Sequence, residues 1–135
     1  MTESFGIIRA RKIKLGQKGE LLAGKLLEMQ GYQLLVRNWK HPAGEIDLIC
    51  RDGKTLVFVE VKTRHYRNDL DLYSNLSNRQ KRRIKHSGTI YLKKLNCPEL
   101  GGRFDLIEVV FNRWGFLKAI FHRSNILNPL FPGNR

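Results

Sequence analysis

Apolar residues recur along the chain with two different periods, and the switches between them mark out the elements. In LGQKGELLAGKLLEMQ (15–30), Leu15, Leu22, Ala23, Leu26 and Leu27 form one helical stripe, and Gly31 supplies a C-terminal stop. YQLLVRNW (32–39) is rich in branched and aromatic residues and predicts a strand, ended by His41-Pro42-Ala43-Gly44. EIDLIC (45–50) and TLVFVEVK (55–62) predict two strands around Arg51-Asp52-Gly53-Lys54, a hairpin signal. The second run is so apolar that it belongs at the centre of a sheet. A polar loop over 63–75 leads to a second helix from Ser77 to about Leu95; RFDLIEVVF (103–111) and GFLKAIF (115–121) predict two last strands. The order helix, three strands, helix, two strands predicts an α/β fold with a central mixed β-sheet flanked by helices. Residues 1–14 read as a basic N-terminal arm or a lead-in to the first helix, 15–121 as the single domain, and 122–135 as a tail.

Composition narrows the partners. The chain has 135 residues, 41% hydrophobic and 27% charged, which suits one domain with a real core and excludes disorder throughout. Lys and Arg number 25 against 12 Asp and Glu, a net charge of +13, so a polyanion is the first expected partner. No stretch approaches the roughly 18 apolar residues needed to span a bilayer, and the N-terminus lacks a sustained apolar run before a cleavage site, so a cytoplasmic location without membrane contact is expected. Cys50 and Cys97 have no zinc-site spacing and read as two buried thiols.

Glu60 and Lys62 end the most apolar strand, where a buried charge costs several kcal/mol unless it is paired or used. Alternation puts both on the face of Leu56 and Phe58, with Val57, Val59 and Val61 opposite. Asp47 interrupts the strand before. A two-residue loop, Asp52 and Gly53, sets Asp47 opposite Phe58 and diagonal to Glu60. A four-residue loop, Asp52 to Thr55, sets it directly opposite Glu60, whereas an odd loop separates Asp47 from the other two. Carboxylates about 5–8 Å apart with a backbone carbonyl between them, that of Val61, make a hard oxygen site suited to Mg²⁺ or Mn²⁺. Lys62 then stands ready to orient water or to stabilise developing charge during phosphodiester hydrolysis. The bland alternative is a structural ion pair of Lys62 with Glu60 or Asp47.

The motifs GEID (44–47) and VEVK (59–62) resemble the PD-(D/E)XK nuclease superfamily, in which an Asp on one strand precedes Glu-X-Lys on the next. Together with FVEVKTR, RQKRR and RFDLIEV they are similar to the uncharacterised bacterial YraN-like family, itself resembling archaeal Holliday-junction resolvases. The likeness covers about residues 15–121. It implies a restriction-endonuclease-like fold, metal binding by Asp47, Glu60, the Val61 carbonyl and a helix Glu, here Glu20, and assistance of the attacking water by Lys62. The helix supports Glu20 independently. Gly16, Ala23, Gly24 and Leu27 lie at helical spacing from it, beside the apolar stripe, although a surface acid is the competing reading. Some branches of the superfamily carry Gln and Tyr four residues apart on the second helix; here Gln80 is followed by Ile84, and Gln80 or Lys81 remains a candidate to reach the site.

Arg79, Lys81, Arg82, Arg83 and Lys85 on the second helix, with Arg64 and Arg67 after the acidic strand, are the candidate phosphate-binding residues; a solvated helix face is the competing reading. Tyr66 and Tyr73 are candidates for stacking on bases or for local packing, Trp39 and Trp114 are assigned to core or turn packing, and Arg103 with Asp105 to a structural ion pair. The expected function is a metal-dependent endonuclease acting on DNA, branched or structured DNA in particular. The alternatives are a non-catalytic nucleic-acid-binding module and a repair or assembly adaptor whose tail docks a protein. Junction cutting would also call for a homodimer.

Overall fold

The computed structural model describes residues 5–66, 76–97 and 99–127. In chain order the elements are α1 (Phe5–Met29), β1 (Gln33–His41), β2 (Gly44–Asp52), β3 (Thr55–His65), α2 (Asn78–Leu95), β4 (Gly101–Phe111) and β5 (Leu117–Arg123). The strands form one sheet in sequence order, antiparallel except for β3 and β4, which run parallel from Thr55 beside Gly101 to His65 beside Phe111. A parallel pair needs a long crossover, and α2 lies in that connection.

The two helices pack against different sets of side chains because strand residues alternate. Ala23 and Leu27 of α1 meet Val57, Val59, Ile107, Val109 and Phe111, while Ile84 of α2 meets Leu56, Phe58, Phe104 and Leu106. Both faces of β3 and β4 are therefore covered, which explains their continuous apolar runs. Gly88 lets α2 come close: a Cβ there would lie 2.6 Å from the Phe104 ring. Ser77 caps α2 by accepting from the Gln80 amide at 3.1 Å, while the Gln80 side chain accepts from the Ser77 N–H at 2.8 Å.

Several boundaries differ from the pattern reading. Helix α1 begins at Phe5, so the basic stretch through Lys14 is lead-in helix; Arg, Lys and Ala sustain a helix without an apolar stripe. Strand β3 continues to His65, where a loop from Thr63 was expected, because β4 offers a partner for each added residue. Strand β5 reaches Arg123, and beyond it the Ile126 N–H donates to the Phe104 carbonyl at 2.8 Å. The first part of the expected tail is thus folded onto the domain, with Ile126 and Leu127 against the core. Residues 128–135 lie outside the described part. Cys50 is buried and Cys97 half-buried, both as free thiols.

The expected Arg103–Asp105 pair is present, at 3.1 Å, and is part of a larger cluster. The buried Asp105 also contacts His122 Nε2 at 2.7 Å and accepts from the Asn125 N–H at 3.0 Å. Burial opposes its charge, but the hydrogen bonds from His122, Arg103 and Asn125 outweigh it and hold its pKa below the ordinary value. This anchor sits in the middle of the β3–β4 pair, where Asp105 lies beside Val59, and it closes β5 and the following chain onto the sheet.

Candidate active site

The β2–β3 hairpin closes with Asp52 opposite Thr55 and pairs regularly up to Leu48 opposite Val59. That register sets Asp47 against Glu60, but the regular ladder stops one step earlier. Instead, the Val61 N–H donates to Asp47 Oδ2 at 2.8 Å. A backbone N–H that would serve an inter-strand carbonyl lies in the plane of the sheet, so the Asp47 carboxylate is drawn into the gap between the two strands. Alternation breaks at the same place: Ile46 and Ile49 both pack with the α2 cluster, Leu48 and Cys50 with the α1 cluster. On β1 the pairing passes from Arg37 with Leu48 to Trp39 with Ile46, and the residue passed over, Asn38, has φ 52°. Asn tolerates that left-handed conformation better than most residues.

Glu60 follows the buried Phe58 on the α2 side of β3 and is hydrogen-bonded to Asp47. Two carboxylates in that contact share a proton. Burial first, then the Asp47 charge, pushes the Glu60 pKa up to about 8, with Arg83 opposing. Burial likewise raises Asp47, against the hydrogen bond from Val61. Glu20 is brought in from α1, where Gly19 packs against the Thr63 side chain so closely that a Cβ would collide with Thr63 Oγ1. Its pKa is raised by burial and then by the Asp47 charge, and lowered by a hydrogen bond with Asn38. Glu20, Asp47 and Glu60 thus lie within one electrostatic neighbourhood, although among the described residues no three His, Cys, Asp or Glu side chains converge closely enough to enclose an ion.

Lys62 lies beside Glu108 in the β3–β4 register. Glu108 is fully buried and is neutralised by Arg64 at 3.3 Å and Arg123 at 2.8 Å. Among the described residues Lys62 forms no ion pair with Glu60 or Asp47, so the structural-pair alternative is not what the fold adopts. Arg64, expected on phosphate, is committed to Glu108 because that acid has no access to water. Gln80, expected near the site, spends its amide oxygen on the α2 cap.

Arg79, Arg82, Arg83 and Lys85 are exposed on α2, Lys81 is half-buried, and Arg67 lies outside the described residues, as does Tyr73. Arg83 packs against Gly44 at the start of β2 and, with Lys40, His41, Pro42 and Glu45, lines a cleft of about 330 Å³ beside Asp47. A positive field therefore adjoins the acid pair. Three contributors were missed from the sequence: Asn38, Glu45 and Glu108. Glu45 adds its charge to both central acids. A lone acid inside the apolar run Leu106–Phe111 was the available signal for Glu108.

Helix, three-strand meander, crossover helix and a parallel fourth strand, with paired acids where two strands part, fit a restriction-endonuclease-like α/β fold. The chain belongs to UPF0102, described as an uncharacterised protein family, which it matches over residues 19–109. It is similar to the UPF0102 protein of Geobacter metallireducens, at 40% identity over 114 residues, covering 82% of this chain and 89% of that protein. The corresponding figures for the Pelotomaculum thermopropionicum protein are 38% over 116 residues, 86% and 96%. The family match spans Glu20, Asp47, Glu60, Lys62 and the basic turns of α2.

Proposed function

We propose that this protein is a metal-dependent endonuclease that hydrolyses phosphodiester bonds in DNA, branched or structured DNA in particular. The observation that carries the reading is the contact between the Asp47 and Glu60 carboxylates, whose raised pKa values correspond to one shared proton, where the β2–β3 ladder opens; Lys62, two residues on from Glu60 in β3, forms no ion pair with either acid among the described residues. The donor set fits Mg²⁺ or Mn²⁺: two touching carboxylates held at raised pKa would give up a proton in favour of a divalent cation, and the Val61 backbone lies against Asp47. Asp47 and Glu60 would hold the ion, with Glu20 approaching from α1. When bound, such an ion polarises a phosphoryl oxygen and lowers the pKa of water.

The chain's own residues do the rest. Asp47, tied to the Val61 N–H, is preorganised rather than mobile. Lys62 orients the attacking water and stabilises the charge that builds on the phosphoryl oxygens as the bond to the leaving oxygen breaks. Arg83 and Lys40, in the adjoining cleft, neutralise flanking phosphates. Backbone contacts of this kind bind DNA without reading sequence.

The test is cleavage of duplex, flapped and four-way DNA by the full chain with Mg²⁺ or Mn²⁺. Asp47→Ala and Lys62→Ala are expected to retain binding and lose cutting. Binding without cutting by the wild type would leave a nucleic-acid-binding module that keeps the fold and uses its acids structurally.

A further inference from the structure

The turn between β4 and β5 carries a second feature that the hydrolytic site does not use. Trp114 is 70% exposed and Phe116 69%, although core or turn packing was expected of the tryptophan. Two large aromatics in water are costly unless they serve a contact. They are also held rigidly. Asn112 Oδ1 accepts from the Trp114 and Phe116 N–H groups at 2.9 and 3.0 Å, Gly115 takes φ 85°, and Lys18 of α1 donates to the Gly115 carbonyl at 3.1 Å.

Around this turn lies a pocket of about 410 Å³ lined by Arg11, Lys12, Leu15, His65, Arg113 and Trp114, with Gly115 at its edge. The Arg113 guanidinium stands 4.7 Å from the Trp114 ring centre, and Lys118 lies 4.1 Å from the ring centre of Tyr66 just beyond His65. Aromatic faces, guanidinium planes and lysines in one concavity are the elements that hold single-stranded nucleic acid, the rings stacking on bases and the cations neutralising phosphates. A second copy of the chain is a poor occupant, because it would set Arg11, Lys12 and Arg113 against their own like charges. The pocket also opens at the end of the sheet toward which β3 runs from Glu60. Five residue steps along β3 lead from Glu60 to His65, about 16 Å, or about five steps of a nucleic-acid strand at 3.4 Å each.

We propose that the β4–β5 turn is a stacking site for an unpaired base, so that the preferred substrate carries a single-stranded segment a few nucleotides from the scissile bond. This rests on the nuclease reading and narrows its substrate class. A continuous duplex hides its base faces in the stack and cannot use the pocket; a flap, gap or branch can.

The experiment measures binding of the full chain, with chelator present to prevent cutting, to a labelled duplex and to the same duplex with a single-stranded flap. Trp114→Ala is expected to lower the ratio of flap to duplex affinity about tenfold, with Trp114→Phe keeping it within about twofold. An unchanged ratio in Trp114→Ala, while Arg82→Ala with Arg83→Ala weakens both substrates, overturns the stacking site and leaves the nuclease reading standing. Failure of the wild type to bind either substrate overturns both. An unchanged ratio accompanied by loss of a dimer in sedimentation, or of binding to anionic vesicles, also overturns it and assigns the aromatics to self-association or to a membrane surface.

Discussion

Glu60→Gln tests the shared proton directly. The folded protein holds the Glu60 proton up to about pH 8, against an ordinary value of 4.5. Between those values the unfolded chain has released a proton that the folded chain keeps, so folding is increasingly penalised as pH rises. The stability associated with the protonated acid is complete below about pH 4.5 and gone above about pH 8. Each unit is worth about 1.4 kcal/mol, and integrating the two titrations from pH 5 to pH 8 gives a loss of about 3 kcal/mol. Glutamine mimics the protonated acid: it is neutral, of the same shape, and can donate to Asp47. The variant therefore matches the wild type near pH 5 and exceeds its stability at pH 8 by about 3 kcal/mol. Urea unfolding followed by tryptophan fluorescence at constant ionic strength, repeated across this range, measures the difference and cancels groups common to both proteins. Saturating Mg²⁺ should restore stability to the wild type above pH 7 and do much less for the variant, which has lost a ligand. Wild-type and variant curves that run parallel from pH 5 to 8 would refute the shared proton and, with it, the main support for a cation site.

Two further outcomes address the binding surface and the packing. Replacing Arg82 and Arg83 together by Ala should weaken binding to every DNA sequence alike and flatten the plot of log affinity against log salt by about 2 units, at about 0.9 per lost phosphate contact; binding titrations at several salt concentrations measure the slope. Gly88→Ala should destabilise the fold by about 1–3 kcal/mol, because its Cβ meets rings rather than a flexible chain end; a thermal or urea midpoint equal to that of the wild type would mean that α2 does not approach Phe104 as closely as described.

Much of the fold was legible because its signals are local. The stripe of Leu22, Ala23, Leu26 and Leu27, the Asp-Gly hairpin, the Ser77 cap and the alternation along β3 each depend on residues within a few positions of one another. Hairpin parity left the placement of Asp47 open between loop lengths; the observed turn, Gly53-Lys54 between the paired Asp52 and Thr55, is neither even loop weighed from the sequence, yet it gives the register that sets Asp47 opposite Glu60. Element ends were less legible. Whether β3 stops at Lys62 or runs on to His65 depends on the partner strand, and β4 lies some 40 residues further along the chain.

The sequence by itself determined two helices, five strands, a surplus of positive charge, and two acids and a lysine on the neighbouring strands of a short hairpin. Tertiary structure alone decided what those charges do. It drew Asp47 into the strand gap through the Val61 N–H, brought Glu20 near through the contact of Gly19 with Thr63, and spent Arg64 on the buried Glu108. It also left Trp114 exposed on a rigid turn. The physical reason is range: periodicity and turn chemistry act between neighbours in sequence, whereas a charge takes its role from burial and from partners that only the assembled sheet brings within a few ångströms.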